Sequence, residues 1–301
     1  MNKGLKQVLK YKNMYILFIP CFIYLIIFNY IPMFGIVLAF KDYSIKGGIF
    51  GSEWVGLENF KELFETPDFF KVTWNTLKIS FYKLVFGFPL PIIISLLLNE
   101  LRSMRFKKTI QTIIFLPHFI SWVILSGIIF SLFRVDGGII NELIILLGGE
   151  KIPFLSDNRY FVKLLVSTNI WKGAGWGTIV YLAAITGIDP SYYEAAEIDG
   201  ASRFQKMLYI TVPGIMVAVT INLILQLSNV LSAGFDQVFN LYSPPVYDTA
   251  DIIDTYVYRN GIIEGKYEMS TALGVFKSIT AFVLIMLSNY ASKKLGGDGI
   301  W

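Results

Sequence analysis

Apolar residues in this chain gather into long unbroken runs, with neither the three-to-four spacing of surface helices nor the alternation of half-buried strands. A helix needs about 20 residues to cross about 30 Å of hydrocarbon. Runs of that length lie at about 14–40, 74–98, 109–133, 161–188, 211–233 and 270–292, which predicts six transmembrane helices. The first run follows Lys3, Lys6, Lys10 and Lys12, the flank of a secretory signal. It is too long for a signal h-region and has no A-x-A-like cleavage site, so it reads as a retained signal-anchor.

An even number of spans puts both termini on one side. The segments 1–13, 99–108, 189–210 and 293–301 together hold more Lys and Arg than Asp and Glu, whereas 41–73, 134–160 and 234–269 show the reverse. Basic-rich short loops stay in the cytoplasm, so both termini are predicted to be cytoplasmic. On this reading Arg102, Arg105, Lys107 and Lys108, with Lys293 and Lys294, are topology signals rather than lipid or RNA sites.

Composition agrees. Only 16% of the 301 residues are charged and 54% are hydrophobic, against about 25% charged in ordinary globular domains; with a mean hydropathy of +0.57, the bilayer is the solvent. The single cysteine, Cys21, excludes a disulfide scaffold. The single histidine, His118, cannot make a two-histidine zinc site, and reads as a packing or capping residue. No GxxxxGK[ST] loop is present, so the chain does not hydrolyse nucleotide by itself. A scattered net charge of +4 gives no case for nucleic acid.

The stretch 187–215 is written as two short helices. Asp189 followed by Pro190 is an N-cap with proline at the first helical position. Gly200 stands where a left-handed residue stops the helix, and Ser202 with Gln205 has the spacing of a capping box. Ala195 and Ala196 let another surface approach closely, while Glu194 and Glu197 suit basic groups on that surface. A plain interfacial helix closing a loop fits the same residues.

These residues resemble the EAA motif of binding-protein-dependent ABC importer permeases: E-A-A, three residues, G, nine residues, then I-x-L-P. Glu194, Ala195, Ala196, Gly200, Ile210 and Pro213 stand in register, with Val212 in place of leucine. The phrases LPHFISW at 116–122, FDQVFNLYSPPVYDTADIIDTYVYR at 235–259 and ALGVFKS at 272–278 are similar to the carbohydrate branch, of the lipoprotein-associated polysaccharide type. The resemblance implies an all-α integral membrane protein with the MetI-like fold of type I importers, a cytoplasmic segment 1–13 and a six-span permease domain 14–301. Its coupling loop would be 188–213, with Glu194, Ala195, Ala196, Glu197, Asp199, Gly200, Ser202 and Pro213 meeting an ATPase. It further implies a non-catalytic subunit in a bacterial plasma membrane, importing oligosaccharides or polysaccharide fragments. The implied partners are a second homologous permease, two ATP-binding subunits that use ATP and magnesium, membrane lipid and an extracytoplasmic sugar-binding lipoprotein. No cofactor is implied on this chain.

Polar groups within spans are costly and mark function by default. In the fourth span Asn169, Trp171, Lys172 and Trp176 either line the translocation path or pack, with Lys172 snorkelling. Gly173, Gly175 and Gly177 allow close helix contact or local unwinding. Asn222, Gln226 and Asn229 share one helical face, suited to sugar hydroxyls or to gluing helices together. Asp236 opens the 234–269 loop, where Phe235, Phe239, Tyr242, Tyr247, Tyr256 and Tyr258 mix with Asp248, Asp251 and Asp254; the mixture fits sugar passage, docking of a binding protein, or an aromatic belt. Pro213 is placed to kink the fifth span. Peptide or amino-acid cargo is an alternative, as is an ion-coupled secondary transporter, although that would need buried carboxylates and here the acids fall in loops.

Overall fold

The computed structural model describes residues 10–294; Lys3 and Lys6, most of the 1–13 segment and the 295–301 tail lie outside them. The chain divides into two compact units, one built from residues up to Thr66 with Val257–Phe276, the other from Pro67–Tyr256 with the chain from Lys277.

The first unit begins with the 29-residue run Lys12–Phe40. It is α-helical over Lys12–Leu25, π-helical over Ile26–Tyr30, and ends in a 3-10 helix, Phe34–Phe40. A two-residue antiparallel ladder, Lys41↔Trp54 and Asp42↔Glu53, adds a trace of strand to the expected all-helical chain. Phe40 stacks on Trp54 with ring centroids 5.6 Å apart. The Glu58–Glu65 helix anchors this corner by turning in Leu63 and Asn59, whose amide donates to the carbonyls of Ala39 and Lys41 at 3.0 and 2.9 Å.

The second unit is organised around a 29-residue helix, Asn158–Thr186, capped by Asp157. At 1.5 Å per residue it is about 43 Å long. Its Phe161, Leu164, Leu165 and Val166 form the core with Ile79, Leu125, Ile129, Val238, Leu241, Val246, Ala250 and Ile252. Burial of this set, at about 25 cal/mol per Å² of apolar surface, fixes how the surrounding helices pack. The helix is unbroken, and two of its three glycines serve contact: a Cβ on Gly175 would lie 2.2 Å from the Ile114 carbonyl oxygen, and one on Gly177 2.9 Å from the Pro91 ring, whereas Gly173 faces open space.

Two expected spans are bent. The expected span 109–133 falls in the pair Met104–Phe119 and Trp122–Phe133, which meet at 103°, and the expected span 211–233 falls, as far as residue 227, in Arg203–Gly214 and Met216–Leu227, which meet at 55° just after Pro213. Pro117 and the N-cap of Ser121, which accepts from the Ile124 amide at 3.3 Å, end one helix and start the next at the sharper bend. Lys12–Phe40, Pro67–Asn99 and Tyr267–Tyr290 are long and apolar enough to cross a membrane alone, and the bent pairs bring the total to five. The remaining expected span, 161–188, is long enough, but Asn169, Lys172 and three glycines dilute its apolar run.

The 234–269 stretch carries structure of its own. It folds into short helices, Phe235–Leu241, Tyr247–Ala250 and Ile253–Val257, and supplies Val238, Leu241, Val246, Ala250 and Ile252 to the core. Tyr256 is buried with them, which removes it from an aromatic belt. Asp248 pairs with Lys71 and Asp254 with Lys277, while Asp251 accepts from the Thr255 hydroxyl at 2.8 Å.

Candidate functional site

The stretch 188–214 forms a braced helix-turn-helix. Asp189 caps the Pro190–Ile198 helix by accepting from the Ser191 amide at 2.9 Å, and that amide holds its carboxyl below the ordinary carboxylate range. Gly200 turns the chain at φ +78, a left-handed conformation that side chains disfavour. The capping box closes in both directions: Ser202 N–H donates to Gln205 Oε1 at 2.7 Å, and Gln205 N–H to Ser202 Oγ at 3.3 Å.

Three further contacts tie this helix to the membrane helix after it. Tyr193 and buried Thr211 share a hydroxyl–hydroxyl hydrogen bond of 2.9 Å. Lys206 pairs with Glu197 at 3.1 Å. Ile188 packs so closely on Gly214 that a Cβ there would lie 2.5 Å from its side chain. These contacts join the short helix and its flank to Arg203–Gly214, just before the 55° bend. Glu194, Ala195, Asp199, Gly200, Ser202 and Pro213 are exposed and Ala196 half-buried. Glu197 is spent in part on Lys206 of its own chain, so Glu194 is the freer of the two acids expected to meet a basic partner.

The expected path residues separate into two groups. The Lys172 ammonium is engaged within the chain, donating to the carbonyls of Pro117, His118 and Ile120 at 3.3, 2.8 and 2.5 Å. It also lies 5.5 Å from the ring centroid of Trp122. The His118 and Ile120 carbonyls lie where the helix ends and the chain bends, and the Pro117 carbonyl also accepts from the Ile120 amide at 3.3 Å, so Lys172 pins the 103° bend. Trp176 stacks on His118 at 4.6 Å and 7° beside it, and Trp171 is half exposed. Asn222 donates to the Ala218 carbonyl of its own helix at 2.9 Å. Asp236 sits exposed in the first turn of Phe235–Leu241.

Asn169, Gln226 and Asn229 do converge. With Ser80, Lys83 and Ser232 they line a polar cavity of about 220 Å³. The Lys83 ammonium donates to the Ala233 carbonyl at 2.6 Å and to Gln237 Oε1 at 2.5 Å. Gln237, fully buried, in turn donates to the Leu165 carbonyl at 2.7 Å and the Thr168 hydroxyl at 2.9 Å. An aromatic series leads from this cavity: Phe235, next to cavity residue Gly234, stacks on Phe239 at 5.1 Å, Phe239 meets Tyr242 at 6.3 Å, and Tyr242 meets Tyr247 at 4.8 Å. Sequence reasoning missed Ser80, Lys83 and Gln237. A cation within the apolar 74–98 run was the available signal for Lys83.

Residues 87–295 match the binding-protein-dependent transport system inner membrane component. The chain belongs to this family. It is therefore a multi-pass membrane permease subunit, non-catalytic, with the MetI-like fold. It is 47% identical over 295 residues to the polygalacturonan/rhamnogalacturonan transport system permease protein YteP of Bacillus subtilis (strain 168), covering 98% of this chain and 92% of that one. The protein LplB of the same organism is also 47% identical, over 96% of this chain and 91% of its own. Among solved structures, a bacterial ABC transporter involved in the import of the acidic polysaccharide alginate superimposes with a TM-score of 0.90, at 37% identity, over 97% of this chain and 99% of that one.

Proposed function

We propose that this chain is half of the permease of an ATP-driven importer that carries oligosaccharides or polysaccharide fragments into the cell. It pairs with a second homologous permease and takes cargo from an extracytoplasmic sugar-binding lipoprotein. Two ATP-binding subunits power it from the cytoplasmic side, where both termini lie. The braced 188–214 unit is the observation that carries the coupling half of this reading. It offers an exposed acidic and alanine face, and its contacts leave no slack between that face and a membrane helix. Closure of an ATPase dimer against this face becomes rocking of the Arg203–Gly214 helix about its bend, opening the cavity outward. The saccharide half is supported by near full-length similarity to the named permeases and by a cavity walled with amides, hydroxyls and an aromatic series, the groups that meet sugar hydroxyls and C–H faces.

The test is purification of the chain with its native partners. The glycans held by the co-purified binding protein are identified, and ATP hydrolysis is measured with and without them. Stimulation by an oligosaccharide is expected. A preparation with no ATPase, or one stimulated by peptide or amino acid alone, overturns the reading.

A further inference from the structure

We infer that Lys83 and its cavity form a carboxylate subsite, which holds the acid group of a uronic-acid residue as a glycan passes this half of the permease. The inference rests on the oligosaccharide reading above and narrows it to acidic glycans. Lys83 lies within the Pro67–Asn99 run, where an ionised side chain is expensive to keep. Two of its three donors go to the Ala233 carbonyl and Gln237 Oε1. A neutral amide would serve those two acceptors as well. What the ammonium adds is charge, and among the described residues no carboxylate pairs with it.

The rest of the cavity is suited to the same ligand. Ser80, 7% exposed, lines it with a hydroxyl that has no hydrogen-bond partner among the described residues. It stands three residues from Lys83 on the same helix, so the two side chains share one helical face. Asn169, Gln226 and Asn229 bring amides to the same space, and amides both donate to and accept from ring hydroxyls. At about 220 Å³ the cavity is below the about 300 Å³ of the smallest drug-sized pockets, so it takes one sugar ring of a chain at a time. A charge-assisted N–H to carboxylate bond is about twice as strong as a neutral one, so the subsite selects acid over ester.

The test compares uptake of trigalacturonate with that of its neutral methyl ester, using the whole importer in proteoliposomes. Lys83→Gln, which keeps donors for Ala233 and Gln237, is compared with the unaltered chain. The binding protein is the same in every arm, so its own preference cancels from the variant-to-parent ratio. Lys83→Gln is expected to cut acid uptake at least tenfold and ester uptake less than twofold, while Lys83→Arg keeps the parent ratio. Ser80→Ala, which removes no hydrogen bond among the described residues, is expected to raise the KM for the acid two- to fivefold and that for the ester by a smaller factor. Equal losses for both glycans in Lys83→Gln, or no loss, overturn the subsite. A parent importer that carries the ester but not the acid, or neither of them, overturns the subsite and spares the oligosaccharide reading, which falls only if no ATPase co-purifies or peptide or amino acid alone stimulates it.

Discussion

The 188–214 unit and the Lys83 cavity encode function in opposite ways. In the first, bracing contacts join residues 3, 9 and 18 apart in sequence. In the second, the ammonium reaches partners 150 and 154 residues away. The first is assembled from capping and turn chemistry, which depends on near neighbours. The second exists only because the Asn158–Thr186 core helix brings distant elements around one space. The coupling unit can therefore be damaged by a single backbone change, while the cavity depends on helix packing far from its own side chains.

The largest effect is expected from Gly200→Pro. Proline fixes φ near −65°, and this turn needs +78. Uptake should be lost while membrane levels of the protein stay unchanged on immunoblots; Glu194→Lys should also uncouple transport. Normal uptake in both would remove the coupling role and with it one side of the contrast.

Lys172→Met comes next, since it strands carbonyls at the 103° bend. The three bonds share one ammonium and do not add, and removing a charged hydrogen-bonding partner costs about 1.5–3 kcal/mol, so a destabilisation of about 3 kcal/mol is expected in detergent melting curves. Loss of stability with no change in the acid-to-ester uptake ratio would separate the bend from the cavity. Gly175→Ala forces a Cβ against the Ile114 carbonyl and should cost about 1–3 kcal/mol by overpacking, read by the same melts.

Ser202→Ala removes half of the capping box and should cost about 1 kcal/mol, seen as faster amide exchange over 203–206. The smallest effect is on the Asp189 cap. Because its carboxyl titrates below the ordinary value in the folded chain, the cap's contribution is complete above about pH 4 and fades as pH falls through the lower folded value. Amide exchange at Ser191 between neutral and acid pH reads it.

Much of this was legible in the sequence. The Asp189–Pro190 cap, the Gly200 turn and the Ser202–Gln205 box stand where the residue types require, because each is settled by dihedral preference and one hydrogen bond. The amide face of the 216–228 helix was visible as spacing, and Gln226 and Asn229 do reach the cavity. Lys172 was not legible as a clamp, because its acceptors lie 52 to 55 residues away on another helix. The short helices of the 234–269 stretch were not legible, because its apolar residues are too short a series to show a period. Their burial comes from the core helix beside them.

By itself the sequence determined the solvent, most of the apolar runs and the coupling turn, since hydropathy and local backbone chemistry act over one helix length or less. Only the tertiary structure decided which polar groups serve the fold and which face a cavity. Lys172 and Lys83 are the same residue type in similar apolar surroundings. One meets the stranded carbonyls of a bent helix, and the other meets an amide, a carbonyl and open space.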